Sequence, residues 1–499
     1  MKFRQQSILS LCILMLGTIL SCSSPQKTKM YLVVNFDTED YISPESEGID
    51  DIPKWLAEIM TEEGVTGTFF VIGEKARSLE RRGRRDVIVA MAEHDIGSHT
   101  NFGSIHPTVT EQLEKVDWES GVSQMDNQES AGIKELERIF GLPVTTLARH
   151  GGSYGPQLVT ALGRMNAGYS GSPVNLPGRN VVWFCNALNF YGQYDGFDDT
   201  YYRDDLFESH LDKIKKELPE IAKHVEAISL FAGHPCKIRT EQFWDLNFYF
   251  GENRGPDEWE IPEMRPLESM KTAQKNFRRL MRWLKNRDDI EITTFRSLMR
   301  LYSFQKEVMS EEELRDIAGA VVKQKTILPS EYFSPAEAFA GLAGSILDFR
   351  ESGSLPQNLQ IKIRPFGPLE MPVTRPEISH VSLDEVYELA EASNDCIIRS
   401  GSLPSFLKVR DLRIGTGSLY ALFCMAYLDM GSKNPAAEYV LSAFDPYPRT
   451  NENEIIQRIN NYKTWPVHRR DLDMSGIVEK TRLQLWTLKP AHIKMDKAR

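Results

Sequence analysis

Tyr31-Leu32-Val33-Val34-Asn35-Phe36, followed without a break by Asp37-Thr38-Glu39-Asp40, is the stretch on which the fold turns. The apolar half reads as a buried strand, and the polar half as a loop at that strand's C-terminal end. The same order recurs downstream. Thr66-Gly67-Thr68-Phe69-Phe70-Val71-Ile72-Gly73 is a second strand ended by glycine. Asp95-Ile96-Gly97-Ser98 leads into His99, Val144 to Ala148 leads into Arg149, and Ala227 to Phe231 leads towards His234. Helical patterns lie between them at Ile52 to Met60, Val87 to Ala92, Gln128 to Phe140 and Met270 to Lys285, and Ile290 to Thr294 reads as a closing strand. Strand alternating with helix predicts parallel α/β units over residues 30–300, as an open sheet or a barrel. In either form, polar residues that follow successive strands meet at one end of the sheet.

Four polar clusters therefore converge. Asp37, Glu39 and Asp40 follow a buried strand, where an apolar surround penalises ionised carboxylates unless a cation compensates. One acid of the cluster can bind a divalent metal while another takes a proton from the water that the metal acidifies. His99 and His106 would stand about 10.5 Å apart on a continuous helix, a long reach for one ion, so the Asn101, Gly103 and Ser104 between them predict a loop. Arg149 can orient an acid of the site or hold an anionic part of the substrate. His234, before Pro235, can protonate a departing amine or alcohol.

These stretches resemble, in order, the motifs of the polysaccharide deacetylases, the NodB-homology group of carbohydrate esterase family four. The first motif corresponds to Phe36 through Asp40, the Ala-Thr-Phe-Phe strand to Gly67-Thr68-Phe69-Phe70, and the His-Ser/Thr motif to His99-Thr100 with His106-Pro107. The arginine motif falls on Arg149, and the last motif on Leu230 through His234. The resemblance covers about half the chain. It implies an irregular (β/α) barrel of the NodB-homology type, with Asp37 as general base and His234 as general acid. Arg149 is carried over with these as a catalytic residue. The implied metal ligands are His99, His106 and either Glu39 or Asp40, and the implied ion is zinc, with cobalt or nickel as alternatives. It further implies hydrolysis of an N- or O-acetylated carbohydrate. The histidines are spaced more widely than in the family, the proline after the arginine is absent, and Tyr169-Ser170-Gly171-Ser172-Pro173 replaces an expected Asp-Trp pair. Two rival readings remain: a metal-dependent hydrolase of a small non-sugar amide, like the allantoinases of this fold, and a carbohydrate-binding protein with a degenerate site. Phe102, Tyr154, Trp183 and Phe184 are the candidate sugar-stacking residues.

The chain has 499 residues and a formal charge of -11, which suits more than one domain and argues against a general nucleic-acid binder. Lys2 and Arg4 precede an apolar run from Ile8 to Leu20, as in an export signal, and Ile19-Leu20-Ser21-Cys22 resembles a bacterial lipobox. The expectation is a signal over residues 1–22, a tether over 23–30, and a lipid on Cys22 that fixes the protein to a membrane, facing the periplasm or the cell surface. Cys12 falls within the signal, and the remaining Cys185, Cys236, Cys396 and Cys424 show no CxxC spacing. Residues 301–499 are expected to form a mostly helical domain with a repeat of about 48 residues, over about 330–377 and 378–425. Ser334-Pro335-Ala336-Glu337 matches Ser382-Leu383-Asp384-Glu385, and Ser352-Gly353-Ser354-Leu355-Pro356 recurs at Ser400-Gly401-Ser402-Leu403-Pro404. Helix start and Leu-Pro turn resemble pseudomurein-binding-type repeats, which implies binding rather than catalysis. Pro435 to Arg499 carries no functional signal, and the oligomeric state is not written in the sequence.

Overall fold

The computed structural model describes residues 29–194, 196–433 and 435–494, so the signal, Cys12, Cys22 and the tether up to Thr28 lie outside the described residues. Ten strands build the first body: β1 Met30–Thr38, β2 Thr68–Val71, β3 Asp95–Ser98, β4 Thr146–Ala148, β5 Gly168–Ser170, β6 Val181–Phe184, β7 Ala187–Phe190, β8 Gln193–Tyr194, β9 Ala227–Gly233 and β10 Ile290–Thr293. The strands β5-β4-β3-β2-β1-β9 pair in that order, all parallel. β7 pairs with β5 through Tyr169↔Asn189, and β8 pairs with β9 through Gln193↔Ser229, again parallel. Only Tyr191-Gly192 separates β7 from β8, and Gly192 has φ +89°, a conformation that favours glycine. One strand bent at that corner thus carries the curled sheet back onto itself. β10 flanks the start of β1, while β6 and the short strand Lys489–Pro490 extend the sheet outside the ring.

Alternation along β1 sorts its side chains between two sides of the sheet. Leu32, Val34 and Phe36 pack outwards with the helices Asp51–Glu63 and Glu268–Lys285. Val33 packs inwards with Phe70, Ala148, Leu188 and Phe190, and Phe295 and Leu298 of the helix Phe295–Leu301 join this cluster. Asn35, Asp37 and Glu39 share the parity of Val33. Gly97 on β3 serves the same interior, because a Cβ there would lie 2.4 Å from the Phe70 ring. The helix expected from Gln128 begins earlier, at Trp118, where Asp117 accepts the Ser120 amide as an N-cap; the polar run after Gly121 conceals that start.

A second core gathers residues between Met309 and Leu441. The helices Pro335–Ser352 and Leu383–Ser400 each open on a capping box, Ser334 with Glu337 and Ser382 with Glu385, and each ends on a left-handed glycine, Gly353 and Gly401. Beyond their Leu-Pro turns they diverge. Phe406–Val409 pairs forward with Leu412–Gly415 as a hairpin, whereas Asn358–Gln360 pairs back with Val308–Ser310. Short strands thus share this region with its helices. The final stretch does not stay with them: Ile455, Ile459, Leu472 and Ile477 join the first core, and Trp486 joins the second. Lys489 Nζ, buried, donates to both carboxylate oxygens of Glu337 at 2.8 and 2.9 Å, tying the outer strand to a capping box of the second body.

Candidate metal centre and active site

Because the ring strands are parallel, the loops after β1, β3, β4 and β9 rise at one end. Two overlapping groups of ligating atoms lie there, each within 4.8 Å: Glu39, His99 and His150, and Asp37, Glu39 and His234. His99 Nε2 stands 2.9 Å from Glu39 Oε1 and 3.6 Å from Asp37 Oδ2. His234 Nε2 stands 3.6 Å from Glu39 Oε1 and 3.9 Å from Asp37 Oδ2. The His99 and His150 rings stack, with centroids 4.9 Å apart and planes 5° from parallel.

Glu39, His150 and His234 are each held from behind. Trp244 Nε1 donates to Glu39 Oε2 at 2.7 Å. Ser104 Oγ lies 3.2 Å from His150 Nε2 and donates to Asp245 Oδ2 at 3.2 Å. Asp198 accepts the His234 amide at 2.7 Å, and its other oxygen lies 2.6 Å from His234 Nδ1. Burial alone would lower the His234 pKa, but the charges of Asp198, Glu39 and Asp37 overcome it and raise it to about 10, so the ring is a cation at neutral pH. Burial, reinforced by His99, lowers His150 to about 3 and keeps it neutral, the state in which imidazole binds a metal. Burial raises Asp37, against the pull of His99 and His234. Burial would raise Glu39 too, but His234 and His99 outweigh it and hold that carboxyl well below the usual range.

Of the residues singled out in the sequence, Asp37, Glu39, His99 and His234 come together, and Asp40, His106 and Arg149 do not. Asp40 has the opposite parity to Glu39. Its carboxylate accepts from Ser43 Oγ at 2.7 Å and from the Ile42 and Ser43 amides, and its carbonyl accepts from Lys75, so it shapes the turn after β1. His106 is pinned elsewhere, with Nδ1 2.7 Å from Glu111 Oε2 and Nε2 2.6 Å from the Phe248 carbonyl oxygen. Arg149 points outwards, its Nε donating to the Gly171 carbonyl, while the next residue, His150, takes the inward position. His150, Asp198, Trp244 and Asp245 went unread in the sequence. Alternation from Ala148, an interior residue, would have pointed to His150; nothing near Asp198 or Trp244 signals their role. Among the stacking candidates, Tyr154 and Phe184 are buried in the core, Trp183 sits on β6 outside the ring, and Phe102 is exposed beside the site loop.

The donor set fits a divalent cation. One carboxylate and two imidazoles, one of them held neutral by its surroundings, form a mixed N/O set of the kind that zinc, cobalt and nickel accept. His99 Nδ1 is buried without a hydrogen-bond partner among the described residues.

No family model and no curated protein matches the chain. Solved structures similar to it include a protein assigned as a polysaccharide deacetylase from Mycobacterium smegmatis, 13% identical, covering 56% of this chain and 91% of that one, with a TM-score of 0.35. The PuuE allantoinase is 13% identical over 55% of this chain and 91% of its own, with a TM-score of 0.37. A CE4-family pseudoenzyme from Bacillus anthracis is 13% identical over 55% of this chain and 66% of its own, with a TM-score of 0.30.

Proposed function

We propose that the chain is a metal-dependent hydrolase that removes acetyl groups from an N- or O-acetylated carbohydrate, with a cell-envelope or extracellular polysaccharide as its substrate. The observation that carries this reading is the convergence of Glu39, His99 and His150 beside Asp37 and the Asp198-held His234. Glu39, His99 and His150 would hold the ion, zinc in the first instance; His150 takes the place that the sequence resemblance gives to His106. When bound, the ion supplies Lewis acidity, polarising the acyl carbonyl and lowering the pKa of water. Asp37, its carboxylate near both His99 and His234, accepts the proton from the attacking water. His234 donates from Nε2 to the departing amine or alcohol, and Asp198 keeps the ring oriented through Nδ1. Trp244 and Ser104 fix Glu39 and His150 against rotation. The sequence motifs that resemble the polysaccharide deacetylases support a sugar substrate.

The test is acetate release from acetylated oligosaccharides by the purified full chain, together with measurement of its bound metal. Release that disappears in His99→Ala with the fold intact supports the reading. Metal-free protein that binds glycan without releasing acetate would refute it. The leader reading belongs to the same proposal: a lipid on Cys22 would hold the enzyme at the envelope, and the 48-residue units would bind glycan there. Loss of radiolabelled fatty acid from a Cys22→Ala protein is the corresponding assay.

A further inference from the structure

Arg149, which the proposed hydrolysis leaves unused, has an unusual setting. Its Nη1 is buried and has no hydrogen-bond partner, and the guanidinium has no ion-pair partner among the described residues. Its central carbon lies 4.5 Å from the ring centre of Tyr462 and 5.9 Å from that of Trp465. Tyr462 is nearly buried, but Trp465 is 44% exposed. Two other arginines of the same stretch do have carboxylate partners: Arg458 pairs with Glu454 at 2.9 Å, and Arg469 pairs with Glu114.

The segment that brings these rings in is fastened to the loops of the site. The Pro466 carbonyl accepts the Phe250 amide at 2.7 Å, His468 Nδ1 lies 3.0 Å from Thr108 Oγ1, and Glu111 Oε1 accepts the Arg469 amide at 2.7 Å. Val467 packs on Gly151, the residue after His150. An exposed indole and a part-buried guanidinium with no carboxylate partner among the described residues therefore lie 5.9 Å apart, the arginine one residue along the chain from His150. A flat aromatic face suits the C–H face of a sugar ring, and an arginine without a protein carboxylate suits one supplied by a ligand.

We propose that this rim is a subsite for a carboxylate-bearing pyranose, the carboxylate bonding to Arg149 and the sugar ring lying on Trp465. The inference rests on the reading that the chain acts on carbohydrate, and it narrows that substrate to an acidic glycan. A neutral glycan would leave the Arg149 charge unanswered.

The experiment is calorimetric titration of the full chain, in detergent, with a hexuronic acid oligomer free of acetyl groups and with a neutral oligosaccharide of equal length. The wild-type protein is expected to prefer the acidic oligomer by about tenfold or more, and added salt should weaken that preference. Arg149→Met should abolish it, and Arg149→Lys should restore part of it. Trp465→Ala changes an exposed side chain and serves if Arg149→Met does not fold; it should weaken binding of the acidic oligomer by about tenfold. Equal binding of the two oligomers, or unchanged binding in Trp465→Ala, would overturn the proposal. Selective binding of the acidic oligomer by a protein that releases no acetate would leave the subsite standing and remove the hydrolase. Acetate release without any preference for acidic glycan would do the reverse.

Discussion

Replacing Glu129 by glutamine should make the protein more stable at alkaline pH and change it little in acid. Glu129 lies on the buried face of the helix Trp118–Phe140, where its carboxylate accepts the Asn101 amide at 3.0 Å and Gln128 Nε2 at 2.9 Å. No ion-pair partner reaches it among the described residues, and burial raises its pKa from 4.5 to about 7 against those two hydrogen bonds. Between those two values the folded protein holds the proton and the unfolded chain has released it. Stability therefore falls as pH rises from about 4.5 to about 7 and levels off beyond, a loss of about 3 kcal/mol for this group. Glutamine is neutral throughout, of nearly the same shape, and can still accept the Asn101 amide. Urea unfolding followed by tryptophan fluorescence at pH 5 and pH 8 checks this. The gap between Glu129→Gln and wild type should widen by about 2 kcal/mol towards the higher pH. Parallel pH dependence in the two proteins would refute the reasoning, because it would mean that Glu129 ionises in the fold without penalty.

Four further outcomes follow from the geometry. Substitution of His99 or His150 by alanine should lower zinc affinity roughly tenfold or more, whereas His106→Ala should leave metal content unchanged; elemental analysis of the dialysed proteins decides. Asp198→Asn should move the His234 pKa down from about 10, since the largest of the charges that raise it is gone while Glu39 and Asp37 remain; the alkaline limb of the pH–rate profile should shift to lower pH, and a static limb would count against His234 as the acid. Gly97→Ala drives a methyl group into Phe70 and should cost about 1–3 kcal/mol in a thermal or urea melt. Lys489→Met removes one partner of a buried pair while Arg364 still faces Glu337, so about 3 kcal/mol should be lost, read as earlier unfolding of the second core.

The strands and the end of the sheet that carries the chemistry were legible because apolar runs and their polar sequels are local patterns. Asp37, Glu39, His99 and His234 each fall within three residues of the end of such a run. Parity within a strand is also local, and it separates Glu39 from Asp40 and His150 from Arg149. Residues were lost where the signal is not local. His106 follows His99 at a spacing that only the course of the loop decides, and that course depends on Glu111 and Phe248. Asp198 and Trp244 reach the site through irregular chain, with no periodicity to announce them. The return of residues 452–490 to the first core could not be read from a helical pattern, because an amphipathic helix does not state which core its apolar face will meet.

That return has a consequence for the order of folding. A chain that folds from its N-terminus onwards can pair its early strands and bring Glu39, His99 and His150 together before its last residues join them. The segment bearing Trp465 and the strand bearing Lys489 are the last to arrive. Until then the loop that carries Arg149 and His150 lacks Tyr462, which lies against the Arg149 guanidinium, and Val467, which packs on Gly151.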